Sequence, residues 1–180
     1  MTEMPFIPRF VILIVEDEEE RPDVGLPWIA PAYYAFRDMG VEVAIATLLG
    51  GPPILTTLRA TADESFAVER FKADRNARDE LADTLSLDQI VVEDFDAAFC
   101  LGFSGQIWEV DGAVSAFVRA FLSAGKPVAL VPGKYAMVTP EGAGAGLLIL
   151  GDSEASPLHA ARALVHLVCE MHAAPDIQRL

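Results

Sequence analysis

The chain alternates between short apolar runs and longer stretches in which apolar residues recur at helical spacing. Short runs rich in β-branched residues are typical of buried strands, and amphipathic spacing is typical of helices. Strands are predicted at Arg9–Val15, Val41–Thr47, Asp96–Cys100, Pro127–Val131 and Gly146–Leu150. Helices are predicted at Trp28–Met39, Ala77–Leu85, Gly112–Ala124 and Ser156–His172, while residues 54–76 are polar and mixed and receive no element.

This alternation predicts an α/β fold: a three-layer sandwich whose mostly parallel central sheet carries helices on both faces. A length of 180 residues fits a single domain, 1–180. Ligands bind to such sheets outside the carboxyl ends of the strands. The segments at those ends are Glu16–Glu20, Leu48–Gly51, Leu101–Gly105 and Pro132–Tyr135.

Composition narrows the partners that we expect. The chain is 52% hydrophobic and 22% charged, which excludes a disordered protein. Its 27 acidic and 13 basic residues give a net charge of −14, so neither nucleic acid nor a membrane surface is an expected partner. No apolar run approaches the roughly 18 residues of a membrane span, and no signal peptide is evident. Cys100 and Cys169, both in apolar contexts, give no disulfide framework, so a cytoplasmic location is expected.

Four stretches, in order, resemble the ThiJ/PfpI superfamily, also called the DJ-one family, which has the class I glutamine-amidotransferase-like fold. Residues 25–54 resemble its first helix, second strand and Gly-Gly-x-Pro turn, and residues 81–110 its segment ending in a Gly-Gly-His-Gly turn. KPVALVPGKYAM, residues 126–137, resembles its strand and nucleophile elbow. Residues 147–164 resemble its terminal strand and helix. The resemblance implies a shortened, flavodoxin-like sandwich and a homodimer.

The chain departs from that family at the residues that carry its chemistry. The family's nucleophilic cysteine falls on Pro132, the adjacent histidine on Gly133, and the acidic partner on Trp28. Proline has no nucleophile and cannot hold the positive φ of a nucleophile elbow. The family's Gly-Gly-His-Gly turn reads Gly102-Phe103-Ser104-Gly105. A cysteine-dependent glyoxalase, deglycase, protease or amidotransferase activity is therefore not expected.

Three side chains near this elbow are candidates for other chemistry. Lys134 could act as a base, a Schiff-base former or an anion clamp, and Tyr135 could donate a hydrogen bond to an oxyanion. Ser104 could bind a ligand carbonyl. The alternatives are a solvated lysine, a tyrosine packed on the sheet and a serine that stabilises its turn. Cys100, inside a predicted strand, is interpreted as a small buried hydrophobe.

A second group of residues is predicted to bind the ligand. They are Trp28, Gly102, Phe103, Gly105, Trp108, Pro132 and Gly133. Together with Tyr135, the aromatic members predict an apolar pocket in place of a thiol site. Packing on a helix face is the alternative for Trp28.

No metal or cofactor is expected. The acidic run Glu16–Glu20 could bind a divalent cation, but such a run is more typical of a solvated loop. His166, Cys169 and His172 are spaced so that they spread around the final helix and do not converge on one ion.

Two hypotheses about function follow from the sequence. The first is an enzyme that acts on a small, partly apolar organic molecule by cysteine-independent chemistry of the hydratase, lyase, cyclase or isomerase type. The second is a non-catalytic module that binds a ligand or regulates a partner. Loss of both family catalytic positions favours the module, and the aromatic residues Trp28, Phe103, Trp108 and Tyr135 favour a retained pocket.

Overall fold

Parallel strands form one sheet in the part of the chain described by the computed structural model, residues 5–15, 24–56, 60, 62–102, 112–131, 148–150 and 157–173. The strands are β1 (Arg9–Ile14), β2 (Glu42–Ala46), β3 (Ala97–Leu101), β4 (Val128–Val131) and β5 (Leu148–Leu150). Their order across the sheet is β2-β1-β3-β4-β5, and every neighbouring pair is parallel. All five predicted strands are thus found at their predicted places.

Helices lie between the strands, as the α/β prediction required. They are α1 (Leu26–Asp38), α2 (Ala62–Ala73), α3 (Arg75–Ala82), α4 (Ala113–Ser123) and α5 (Pro157–Ala173). Two short 3-10 turns, Leu87–Gln89 and Val92–Asp94, precede β3. None of the described helices is long and apolar enough to cross a membrane.

The sheet is buried on both faces, which is why its strands read as continuous apolar runs. Side chains alternate along β1: Phe10, Ile12 and Ile14 join a core cluster with α1 and α5, whereas Val11 and Leu13 join a second cluster with α4. All five are fully buried. The sheet therefore separates two apolar layers, each closed by helices.

Helix α1 is the most enclosed helix among the described elements, because the sheet, α2 and α5 all pack against it. Its Phe36 ring meets Phe10 of β1 and Phe99 of β3 edge-on, with centroids 5.1 and 5.3 Å apart. The helix stops as predicted at Gly40, whose φ of +80° is readily accessible to glycine. Pro31, inside the helix, cannot donate the backbone hydrogen bond to Pro27.

The polar stretch 54–76, to which the sequence assigned no element, contains α2. Val68 and Phe71 are its buried hydrophobic residues, so the helix has almost no apolar stripe of its own. The predicted helix 77–85 begins earlier and ends earlier, as α3. Asp74 sets its start, because the carboxylate accepts a hydrogen bond from the backbone N–H of Ala77 at 3.2 Å.

Polar contacts attach α2 and α3 to α1. The Tyr34 hydroxyl donates to the Asp74 carboxylate at 3.0 Å. Arg70 forms a bidentate pair with Asp38, at 2.8 and 2.9 Å, and its guanidinium lies 3.8 Å from the centroid of the Tyr34 ring. Stacking and the two-pronged hydrogen bond both use the planar fork of arginine, so lysine would not replace it.

The amino edge of the sheet is closed by a separate set of contacts. The Lys126 ammonium donates to the backbone carbonyls of Val92 at 2.7 Å and Phe95 at 2.5 Å. The Arg9 backbone N–H donates to the Asp96 carboxylate at 2.8 Å, and the Arg9 guanidinium lies 4.8 Å from the centroid of the Phe95 ring. These contacts join β1, β4 and the segment before β3.

We expect the contact between Tyr34 and Asp74 to make stability depend on pH under alkaline conditions. Burial, followed by the hydrogen bond to Asp74, raises the pKa of Tyr34 from its ordinary value of 10.0 to about 12. The unfolded chain then loses this proton first, so the free energy of unfolding falls as pH rises from 10.0 to about 12. Denaturant unfolding measured at several pH values in that range should show that the free energy of unfolding falls less steeply with pH for Tyr34→Phe than for the wild type. An equal pH dependence in the two proteins would contradict the expectation.

Candidate functional site

The strand order places a topological switch point between β1 and β3. From β1 the chain proceeds to β2 on one side, and from β2 it crosses to β3 on the other. Open parallel sheets bind ligands in the crevice at such a point, outside the carboxyl ends of the strands. The candidate site is therefore this carboxyl edge, where the sequence placed it.

Hydrogen bonds extend the parallel pairing to the end of each central strand. The Val15 N–H donates to the Leu101 carbonyl at 2.8 Å, and the Gly102 N–H donates to the Val131 carbonyl at 3.0 Å. The three central strands consequently end side by side. The candidate turns that follow Gly102 and Val131 in sequence thus start from neighbouring points on one edge.

Gly102 is one of two predicted site residues that fall within the described parts of the chain. It is buried, and its φ is +83°. L side chains rarely adopt this conformation, because Cβ approaches the following carbonyl oxygen. The left-handed backbone conformation at the end of β3 therefore favours glycine at position 102.

Replacing Gly102 with alanine should destabilise the protein by about 1–2 kcal/mol, the usual cost of a left-handed conformation for an L residue. Gly40→Ala is a suitable reference, because Gly40 has a similar left-handed φ of +80° and no atom within 4 Å of the position that an alanine Cβ would take. Denaturant unfolding should show a loss for Gly102→Ala at least as large as that for Gly40→Ala. A much smaller loss at Gly102 would mean that Gly102 is not conformationally required.

Trp28, the other described site residue, lies in the first turn of α1. That helix runs from the carboxyl edge back to the start of β2, so its first turn lies at the edge where the site is expected. The side chain is partly buried and packs against the core cluster that contains α1 and α5. Trp28 therefore packs on the helix face, as the alternative interpretation expected. Its role as a pocket wall stays a prediction.

The other candidates lie outside the described residues. They are Phe103, Ser104, Gly105, Trp108, Pro132, Gly133, Lys134 and Tyr135. The acidic run Glu16–Glu20 also lies outside them. Their roles remain predictions.

Cys100 is confirmed as a buried hydrophobe. Its thiol is fully buried in β3, on the face of the sheet covered by α4. Burial raises the pKa of the Cys100 thiol far above its ordinary value, so the reactive thiolate is disfavoured. Cys100 therefore does not replace the nucleophile that the resemblance lacks.

The residues spaced along the final helix are exposed. Cys169, which the sequence placed in an apolar context, is solvent-exposed, as are His166 and His172. His172 stacks on Phe6 with centroids 3.7 Å apart. Within the described ranges, no cluster of histidine, cysteine or carboxylate side chains has the geometry of a metal site.

A chain of hydroxyl groups that the sequence did not reveal fixes the loop after β2. The Gly50 N–H donates to the Thr47 hydroxyl at 2.9 Å, and the Thr84 hydroxyl donates to the Gly51 carbonyl at 2.6 Å. The two hydroxyl oxygens are 3.0 Å apart. Since the Thr84 proton is already used on Gly51, Thr47 must be the donor between them. Both threonines are buried, at 3% and 5% exposure.

Replacing Thr84 with valine keeps the shape but leaves the Gly51 carbonyl and the Thr47 hydroxyl without these partners. We expect a loss of about 1–3 kcal/mol in unfolding free energy, the usual cost of an unsatisfied buried polar group. A double-mutant cycle with Thr47→Val should be non-additive, because both changes break the same chain. Additive losses would show that the two hydroxyls act independently.

The loop after β2 also forms one wall of a cavity that sequence reasoning missed. This loop cavity has a volume of about 280 Å³. It is lined by Leu26, Pro52, Pro53, Leu55, Phe71, Lys72, Arg78, Leu81 and Ala82. The Gly-Gly-Pro-Pro sequence could have indicated a rigid turn at this wall. The opposite wall was missed because α2, which supplies Phe71 and Lys72, was not predicted.

Comparisons with solved structures identify the fold. The structure aligns with the protein designated APC35852 at a TM-score of 0.63 and 17% identity, covering 92% of this chain and 100% of that one. It aligns with the DJ-1 superfamily protein Atu0886 from Agrobacterium tumefaciens at a TM-score of 0.53 and 18% identity, covering 94% and 93%. No family model and no curated protein matches the sequence.

A third structural match is partial. Rapid Encystment Protein 24 kDa (REP24) of Francisella tularensis aligns at a TM-score of 0.54 and 15% identity over 69% of this chain. The chain spans 58% of the length of that protein. Taken together, the matches show that the chain has a DJ-1/ThiJ/PfpI-like fold of the flavodoxin-like α/β class. The low identities fit a divergent sequence on that fold.

Proposed function

We propose that this protein binds a small, partly apolar organic molecule at the carboxyl edge of its sheet and acts on it by cysteine-independent chemistry. The observation that carries the proposal is the switch point between β1 and β3, together with Trp28, which is partly buried in the first turn of the helix that starts from the same edge of the sheet. An indole offers a large, rigid apolar surface with a hydrogen-bond donor, which suits a flat ligand.

We assign the chemistry to oxygen and nitrogen groups because neither thiol in the described structure is suited to act as a nucleophile at the carboxyl edge. Cys100 lies in the core layer under α4, and Cys169 is exposed near the C-terminal end of α5. Lys134, Tyr135 and Ser104 follow the ends of β4 and β3 in sequence and remain the proposed catalytic groups. They suit a hydration, elimination, cyclisation or isomerisation that needs proton transfer and oxyanion stabilisation.

A non-catalytic role is the second candidate. The packing of Trp28 against the core favours it, because a tryptophan that fills the former acidic position also reduces room for a substrate. In that case the protein binds a ligand, or regulates a partner, without turnover. A homodimer and a cytoplasmic location belong to either version of the proposal; the resemblance supports the first and the two free cysteines the second.

A metabolite panel tests the proposal. Purified protein should be stabilised against heat by one or more small, partly apolar molecules, and Trp28→Ala should weaken binding by about tenfold, or about 1.4 kcal/mol. Trp28→Phe, which keeps an aromatic wall, should lose less. If the protein is an enzyme, mass spectrometry should detect a product, and Lys134→Ala should abolish it while Arg75→Ala, an exposed change on α3, should not.

Three outcomes would count against this picture. Binding that is unchanged in Trp28→Ala would place the ligand elsewhere. A ligand bound at the edge with no product would favour the non-catalytic module. Turnover of methylglyoxal by the purified protein would contradict the conclusion that Pro132 removes the family's cysteine chemistry.

A further inference from the structure

We propose that the loop cavity, whose lining includes neither Trp28 nor Gly102, is a second binding site and that it takes a small monocarboxylate with an apolar body. The cavity lies between the start of α1, the loop after β2, and helices α2 and α3. Its walls, its charge and its rigidity each support this assignment.

The walls select an apolar body. All but two of the lining residues have hydrocarbon side chains: Leu26, Pro52, Pro53, Leu55, Phe71, Leu81 and Ala82. A volume of about 280 Å³ is at or below the lower end of the roughly 300–1,000 Å³ typical of drug-sized ligand sites. The cavity therefore suits a short alkyl chain or a single ring and is too small for a long-chain lipid.

The two remaining lining residues, Lys72 and Arg78, select an anionic head. The whole chain has a net charge of −14, yet no carboxylate is among the residues that line this cavity in the described structure. Lys72 is paired with Glu69 at 2.9 Å, but both side chains are exposed, so the pair is weak and can exchange. No ion pair within the described ranges engages Arg78.

Arg78 favours a carboxylate among possible anions. Its planar fork can donate two parallel hydrogen bonds to one carboxylate. A larger polyanion would need more donors than one guanidinium and one shared ammonium provide, and apolar walls offer none. The assignment is therefore to a head with a single negative charge and two oxygens.

The cavity is held open by contacts that exist without a ligand. The hydroxyl chain through Thr47 and Thr84 fixes Gly50 and Gly51 immediately before the two lining prolines. The Thr56 N–H donates to the Val24 carbonyl at 2.8 Å, which ties the other end of the loop to the start of α1. Because little ordering remains to be done on binding, a small ligand can be held.

A titration with octanoate tests the proposal on the full-length protein. Octanoate should bind the wild type, as measured by calorimetry, and 1-octanol should bind at least about tenfold more weakly because it lacks the charge. Arg78→Gln should weaken octanoate binding about tenfold. Arg75→Gln is the matched control: it lies on the same helix, is exposed, pairs with Asp79 at 3.5 Å, and does not line the cavity.

A second variant tests the cavity independently of charge. Ala82→Phe places a ring in the cavity from an exposed position at the end of α3, where it should not disturb folding. Octanoate binding should then be lost while the thermal midpoint is retained. The proposal is overturned if octanoate does not bind the wild type, if octanol binds as well as octanoate, if Arg75→Gln and Arg78→Gln have equal effects, or if folded Ala82→Phe still binds.

Discussion

The contact of Phe36 with Phe10 and Phe99 determines where the rest of the structure lies. The three fully buried rings meet edge-on and hold α1 over the two central strands. Such aromatic pairs contribute about 0.5–1.5 kcal/mol each beyond the area that they bury. Because α1 is held near its C-terminal end, its first turn, with Trp28, lies at the opposite edge of the sheet. The central strands and the first turn of α1 are thus positioned by the same packing.

The two ends of the sheet have different physical characters. At the amino edge, Lys126 and Arg9 join neighbouring segments through backbone carbonyls, a carboxylate and an aromatic ring. At the carboxyl edge, the described strands end side by side, and Gly102 redirects the chain through a conformation that excludes most other residues. The amino edge is therefore joined through side-chain contacts, and the carboxyl edge offers backbone geometry on which binding groups can be placed.

The sequence predicted the strands because burial on both faces leaves continuous apolar runs, as in the RFVILI of β1. It also predicted the end of α1, since Gly40 has the left-handed conformation that ends helices. It did not predict α2, whose contacts with α1 run through the ring of Phe71 against Tyr33 and the ion pair of Arg70 with Asp38. From topology the sequence placed the candidate site at the carboxyl edge, which stays a prediction. It missed the loop cavity because Phe71 and Lys72, two of the lining residues, lie on α2, which it did not predict.

The contacts of Lys126 limit which side chains can replace it during evolution. A compact ammonium satisfies two converging carbonyls, of Val92 and Phe95, whereas an apolar side chain would leave them unpaired and a planar guanidinium has a different donor geometry. Lys126 is therefore constrained, but the constraint acts at the amino edge of the sheet, away from the candidate site. Loops at the carboxyl edge can change in length and in residue type without disturbing the contacts of Lys126. Such a separation is compatible with a fold that this chain shares with proteins to which it is only 15–18% identical.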